Sequence, residues 1–178
     1  LSPHEAADRI PRKVVFLHQA VGVVTPPRFA RNQATIGTFT GLQLPDGTSQ
    51  PTLLPEGQFA LRPFLAQHVP SFLSPDAALI VWVHGPTPQP TGIHDFPGKK
   101  ILLVGDTHFH TLLREALRYA AQEPFDAIFV VNRHHAHWFR EAQRAPVHWL
   151  PAIATDPQWC TVDPLKNHPL VLIGNLNK

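Results

Sequence analysis

The chain has 178 residues, which is enough for one ordinary domain with a core of its own. A hydrophobic fraction of 43% and a charged fraction of 16% exclude a disordered chain. A formal net charge of +2 without any basic run excludes a typical nucleic-acid-binding protein, so no nucleic-acid partner is predicted.

Composition also indicates where the protein resides. Its single cysteine, Cys160, cannot form an internal disulfide, so a cytoplasmic location is predicted. No apolar stretch approaches the roughly 20 residues of a membrane-crossing helix, and no membrane span is predicted. The absence of methionine suggests a piece trimmed from a longer chain.

Three elements are predicted in the first part of the chain. Residues 12–21 contain the apolar, β-branched run Lys13–Leu17 and are predicted as a first buried strand. Residues 22–55 are rich in proline, glycine and threonine and are predicted as a long flexible loop or a hairpin, with a turn at Pro45–Gly47. Glu56–Val69 is predicted as a helix that Pro70 stops.

Strands and helices then alternate. Apolar runs predict five further strands, at Ala77–Val83, Lys100–Val104, Asp126–Val131, Val147–Leu150 and Leu170–Ile173. Leucines and alanines at helical spacing predict an amphipathic helix over Phe109–Gln122, and a shorter helix is predicted over His134–Gln143. The proline-rich segment Pro86–Pro90 is predicted to have no regular structure.

Strands that are apolar on both faces and alternate with helices predict βαβ units. The predicted fold class is therefore α/β, a single domain with a Rossmann-like parallel sheet flanked by helices. Ligands of such sheets bind beyond the carboxyl ends of the strands, so residues there are candidate site residues. They are His18, Gln19, His84, Gly85, Asp106, Thr107, His108, Asn132 and His134.

A series of motifs follows the strand at Lys100. They are Gly-Asp-Thr-His at Gly105–His108, Pro-Phe-Asp-Ala-Ile-Phe-Val at Pro124–Val130, Trp138-Phe139, Val-His-Trp-Leu-Pro-Ala at Val147–Ala152, Asp156-Pro157, and Val-Leu-Ile-Gly-Asn at Val171–Asn175. In this order they resemble the N-terminal domain of GT-B glycosyltransferases, in particular the spore-maturation-type and family-1-like group. The resemblance covers residues 100–175.

This resemblance implies that residues 1–169 form an acceptor-side domain. Residues 170–178 would be a closing strand or the start of a donor-binding domain, the missing C-terminal partner. The whole protein would transfer sugar from a nucleotide sugar, its donor substrate, to a carbohydrate or protein acceptor. The fragment alone is expected to bind no cofactor and to be inactive.

Transfer to an acceptor hydroxyl requires a base at a strand end. Asp106 and His108 are the predicted catalytic residues, because a carboxylate can accept a proton or orient an imidazole, and histidine titrates near neutral pH. The remaining candidates, predicted to bind substrate, are His18, Gln19, His84, Gly85, Thr107, Asn132 and His134. Asp106 is equally suited to cap the helix that follows it.

Two other hypotheses stay open. The chain could be a non-catalytic Rossmann-like module for binding or interaction, or a metal-dependent hydrolase using Asp106, His108, His110 and His84, which are residue types that zinc accepts. No cysteine cluster or His-Glu-x-x-His pattern accompanies these histidines, and no metal site is predicted. Trp82 and Trp149 fall within apolar strands and are expected in the core.

Overall fold

A computed structural model describes residues 12–18, 28–83, 89–105, 107 and 110–150. The predicted strand at Leu170–Ile173 lies outside the described residues. Within them the strands are β1 Lys13–His18, β2 Asn32–Gly37, β3 Gly41–Gln43, β4 Ser49–Gln50, β5 Gln58–Ala60, β6 Ala77–Val83, β7 Gln89–Thr91, β8 Lys99–Val104, β9 Ala127–Val130 and β10 Val147–Trp149. The helices are α1 Leu61–His68, α2 His110–Gln122 and α3 Ala136–Ala142, and short 3-10 turns occupy Pro70–Phe72 and Ile93–Asp95.

Eight strands form one sheet in the order β10-β9-β8-β6-β1-β2-β3-β4. From β10 to β2 every neighbouring pair is parallel, and β3 and β4 complete the sheet with antiparallel pairing. The predicted α/β class with a Rossmann-like, mainly parallel sheet in a single domain is confirmed.

The chain changes its direction of travel across the sheet beside β1. After β1 it forms β2 on one side, and then it returns to form β6 on the other side of β1 and continues outward through β8, β9 and β10. The carboxyl ends of β1 and β6 therefore flank the topological switch point of the sheet, where open α/β sheets bind their ligands.

Two proline-containing segments include strands that their sequence does not suggest. Residues 22–55, predicted as a loop or hairpin, contain β2, a parallel partner of β1, and the antiparallel pairs β2–β3 and β3–β4 form hairpins. Pro86–Pro90 was predicted to lack regular structure, but Pro90 lies within β7, which pairs with β5 in a separate two-stranded sheet. A strand with one partner tolerates the missing amide hydrogen of proline.

The larger core lies between one face of the sheet and the helices. Alternate residues of β1 and β6 enter it, and all three helices contribute buried side chains to it. Each large apolar side chain buried in this way stabilises the fold by about 1.5–3 kcal/mol. Within the part of the chain that the structure describes, no helix is long and apolar enough to cross a membrane.

The opposite face of the sheet carries a smaller apolar cluster around Phe16. The Phe16 ring stacks with Trp82 at a centroid distance of 6.1 Å and meets Phe29 edge-on at 5.2 Å. The neighbouring part of this face, on β2 and β3, is polar, because Gln33, Thr35 and Gln43 occupy it. One face of the sheet is thus divided into an apolar centre and a polar end.

Candidate functional site

The carboxyl edge of the parallel sheet is held by backbone hydrogen bonds that continue past the strand ends. Thr38 N donates to His18 O over 3.2 Å, and Gly105 N donates to Val83 O over 3.0 Å. Val131 N donates to Val104 O over 3.1 Å. The first residue after each of β2, β8 and β9 is therefore fixed to a neighbouring strand.

His18 ends β1 at the switch point and is buried, with 1% of its surface exposed. Its Nε2 lies 3.2 Å from Thr40 Oγ1, and its ring stacks on Phe16 at a centroid distance of 5.4 Å. Burial lowers the pKa of His18 from 6.5 to about 4, because the protonated ring would lose its hydration. The imidazole is therefore uncharged at neutral pH.

The ring of His18 occupies space beside Gly37, its partner in the β1–β2 register. A Cβ at position 37 would lie 2.6 Å from His18 Nε2, closer than non-bonded atoms approach. Glycine at this position therefore allows the imidazole to lie against the backbone of β2 and to reach Thr40.

A second polar contact joins the segments that follow β8 and β9. Thr107 Oγ1 lies 2.5 Å from His135 Nδ1, and Thr107 is 1% exposed. The His135 ring is stacked on Trp138, with centroids 5.1 Å apart and an interplanar angle of 13°. Thr107 and His135, which are 28 residues apart in the chain, thus connect the segments that follow β8 and β9.

Asn132 and His134, both predicted to bind substrate, form a local turn. Asn132 Oδ1 accepts a hydrogen bond from His134 N over 3.0 Å, and the His134 side chain is exposed. This is the side-chain-to-backbone pattern by which asparagine commonly stabilises turns. The geometry gives Asn132 a structural role in shaping the loop that carries His135.

Trp149 was expected in the core but is 45% exposed. It lies on β10, which is at the edge of the sheet, so one side of its indole meets solvent. Arg133 covers the ring, with its guanidinium carbon 5.4 Å from the centroid, and Trp149 Nε1 donates to Val131 O over 3.2 Å. The prediction failed because an apolar run does not reveal an edge position.

Of the predicted site residues, His18, Thr107, Asn132 and His134 are within the described part of the chain. Gln19, His84, Gly85, Asp106 and His108 lie outside it. The structure adds Thr40 as the partner of His18, and it assigns a partner, Thr107, to His135, which follows the predicted strand at Asp126–Val131. Two adjacent histidines, His134 and His135, follow β9. The sequence alone does not show which of their side chains faces the segment after β8.

The metal-site hypothesis involved four residues, of which only His110 is described, and its side chain is exposed at the start of α2. No group of three or more His, Cys, Asp or Glu side chains suited to a metal occurs among the residues with described positions. The described part of the carboxyl edge instead contains two polar side-chain pairs, His18 with Thr40 and Thr107 with His135.

The fold and the contacts at the carboxyl edge of the sheet define the class of protein. It is a Rossmann-like α/β domain with buried polar side chains at the carboxyl ends of its parallel strands. Comparison of the chain with protein-family models, curated proteins and solved structures finds no match.

Proposed function

We propose that this chain is the acceptor-binding domain of a GT-B glycosyltransferase and that it binds the acceptor at the carboxyl edge of its sheet. The observation that supports this most strongly is the strand order, which creates a switch point between β1 and β6. His18 ends β1 at that point, and the Thr107–His135 contact lies on the other side of β6.

The chemistry of the edge suits a ligand that carries hydroxyl groups. Because the pKa of His18 is lowered to about 4 by burial, its ring presents no positive charge at neutral pH. The ring is buried against Thr40, so the described part of this strand end carries no cation that would select for an anion, and a neutral hydroxylated ligand is favoured. Under this proposal the charged diphosphate of the donor binds mainly to a second domain of the full-length protein.

Asp106 and His108 are the proposed base and its partner. They flank Thr107 in sequence, and Thr107 is anchored to the loop after β9 through His135. The fixed position of Thr107 supports this assignment, because a base must be held within hydrogen-bond reach of the acceptor hydroxyl. The nucleotide sugar is the donor, and the acceptor is a carbohydrate or a protein.

The proposal is tested with the full-length natural chain, by measuring release of the nucleotide from a panel of nucleotide sugars with and without candidate acceptors. We expect Asp106→Ala or His108→Ala to lower turnover by about 10²–10⁴-fold, the usual contribution of a general base. His110→Ala is the matched control, because this histidine is two residues after His108 and is exposed at the start of α2. Unchanged turnover in both test variants would remove Asp106 and His108 from the mechanism.

A non-catalytic binding module is the second candidate, and the burial of His18 favours it. The ring contacts Thr40 and Phe16 within the fold, which is the arrangement of a structural histidine. For such a module we expect saturable binding of a carbohydrate to the full-length chain without release of nucleotide from any nucleotide sugar. Turnover by the wild type would exclude this alternative.

A further inference from the structure

A polar cavity lies at the antiparallel end of the sheet, where β2, β3 and β4 pair. Its volume is about 290 Å³, at the small end of the range for ligand sites. Side chains of β2, β3 and β4 line it, together with Arg28 from the segment before β2 and the hairpin turn at Gly47.

The polar lining follows from the register of the sheet. Phe16 of β1 pairs with Thr35, Thr35 pairs with Gln43, and Gln43 pairs with Ser49. Paired residues of adjacent strands project from the same face, so these four form one row across the sheet. The row is apolar at Phe16 and polar from Thr35 onward, which places three hydrogen-bonding side chains side by side.

Gln33 and Thr35 are buried in the wall of this cavity, with 7% and 4% of their surfaces exposed. Gln33 Oε1 accepts a bond of 2.7 Å from Phe29 N, and Gln33 Nε2 donates to Thr35 Oγ1 over 2.9 Å. The amide is therefore fixed in orientation. The Thr35 hydroxyl accepts from it and keeps its own hydrogen as a donor.

Arg28 is the charged side chain among the described residues that line the cavity. Its Nη2 donates to Arg31 O over 3.0 Å, and its Nε lies 3.4 Å from Ala30 O. A guanidinium has five N–H donors, so these bonds orient the group and leave further donors for a ligand. The carboxylate of the nearby Asp46 bonds instead to Thr48 N within the hairpin turn.

We propose that this cavity binds a small hydroxylated anion, such as a sugar phosphate or a sugar acid. Arg28 contacts the phosphate or carboxylate, and the side chains of Thr35, Gln43 and Ser49 contact the hydroxyl groups. Thr35 is two residues before Gly37, which pairs with His18 at the carboxyl edge, and Gln33 is about 13 Å from Gly37 along the strand. The cavity and the proposed acceptor site share no described side chain, so this proposal does not depend on the proposed function.

Isothermal titration calorimetry with glucose 6-phosphate, glucuronate, glucose and inorganic phosphate tests this proposal. We expect glucose 6-phosphate or glucuronate to bind, and to bind at least tenfold more tightly than glucose, since a charged hydrogen bond is lost with the neutral sugar. Whichever of these two anions binds more tightly shows whether phosphate or carboxylate is the preferred charged group. Inorganic phosphate is expected to bind more weakly than the preferred sugar anion.

Arg28→Gln is expected to weaken binding of the preferred anion at least tenfold. Arg31→Gln is the matched control, because it removes an exposed charge three residues away and leaves its backbone carbonyl in place. Gln43→Leu tests the polar row, and its thermal unfolding midpoint without ligand verifies that it folds. Absence of binding by both sugar anions, equal binding of glucose, or equal losses in the two arginine variants would overturn the proposal.

Discussion

His18 and Gly37 are paired across β1 and β2, and the imidazole of His18 fills the space that a side chain at position 37 would need. The ring could not reach Thr40 Oγ1, 3.2 Å away, if its strand neighbour carried a Cβ. One small residue on β2 thus determines where a buried histidine at the switch point can lie.

Gly37→Ala is therefore expected to lower the free energy of unfolding by about 1–3 kcal/mol, the usual cost of overpacking a dense site. Urea denaturation measures this directly. In a His18→Ala background the same substitution should cost less, because one of the two side chains that the new Cβ meets has been removed, while Thr40 remains. An equal cost in both backgrounds would contradict the close packing of His18 against Gly37.

The lowered pKa of His18 predicts that stability depends on pH. In the unfolded chain the ring takes up a proton near pH 6.5, whereas in the folded chain it does so only near pH 4. The unfolded state therefore binds more protons between these values, and stability falls as the pH decreases through this window. The loss amounts to at most about 3 kcal/mol at pH 4 relative to pH 7.

Urea denaturation at several pH values between 4 and 7 tests this, with His18→Gln as the variant. Glutamine keeps a polar group near Thr40 but does not titrate, so the slope of stability against pH should decrease in this window. His94→Gln, which replaces an imidazole that is 69% exposed, is the control and should retain the wild-type slope. Equal slopes in wild type and His18→Gln would mean that His18 is not held neutral by the fold.

The sequence predicted the elements whose side chains follow a simple pattern. Ala77–Val83 is a strand with the predicted boundaries, and the helix predicted over Phe109–Gln122 begins at His110. β2 was missed because Gln33 and Thr35 replace apolar residues on one of its faces, where they line a polar cavity. The alternation of buried apolar and buried polar residues can be recognised as a strand pattern only when the adjacent strands and the cavity are known.

The contacts at the carboxyl edge were not predictable for a related reason. Local sequence placed His18 and Thr107 after strands, but their partners, Thr40 and His135, are 22 and 28 residues distant. Which strand lies next to which is determined by the whole fold. Strand order, and with it the switch point between β1 and β6, required the structure.

The contact between Thr107 and His135 predicts that the two side chains are energetically coupled. Thr107→Val replaces the hydroxyl with a methyl group of similar size and should lower the free energy of unfolding by about 1 kcal/mol. His135→Ala also removes the stacking on Trp138, so only a double-mutant cycle isolates the hydrogen bond. We expect a coupling energy of about 0.5–1.5 kcal/mol from urea denaturation of the four proteins. Additive effects would show that the contact does not contribute to stability.

Tyr119 gives a spectroscopic test of the core, because it is the single tyrosine of the chain. Its hydroxyl donates to Pro90 O over 2.7 Å, and burial, assisted by the negative charge of Glu123, raises its pKa above the ordinary value of 10. The unfolded chain therefore loses this proton first, and stability falls as the pH rises above 10. Ultraviolet absorbance of tyrosinate should stay low in the folded protein and rise together with the loss of circular dichroism, while the urea-unfolded protein titrates near pH 10. Titration of the folded protein near 10 would show that Tyr119 is accessible to solvent and that α2 is not held against β7.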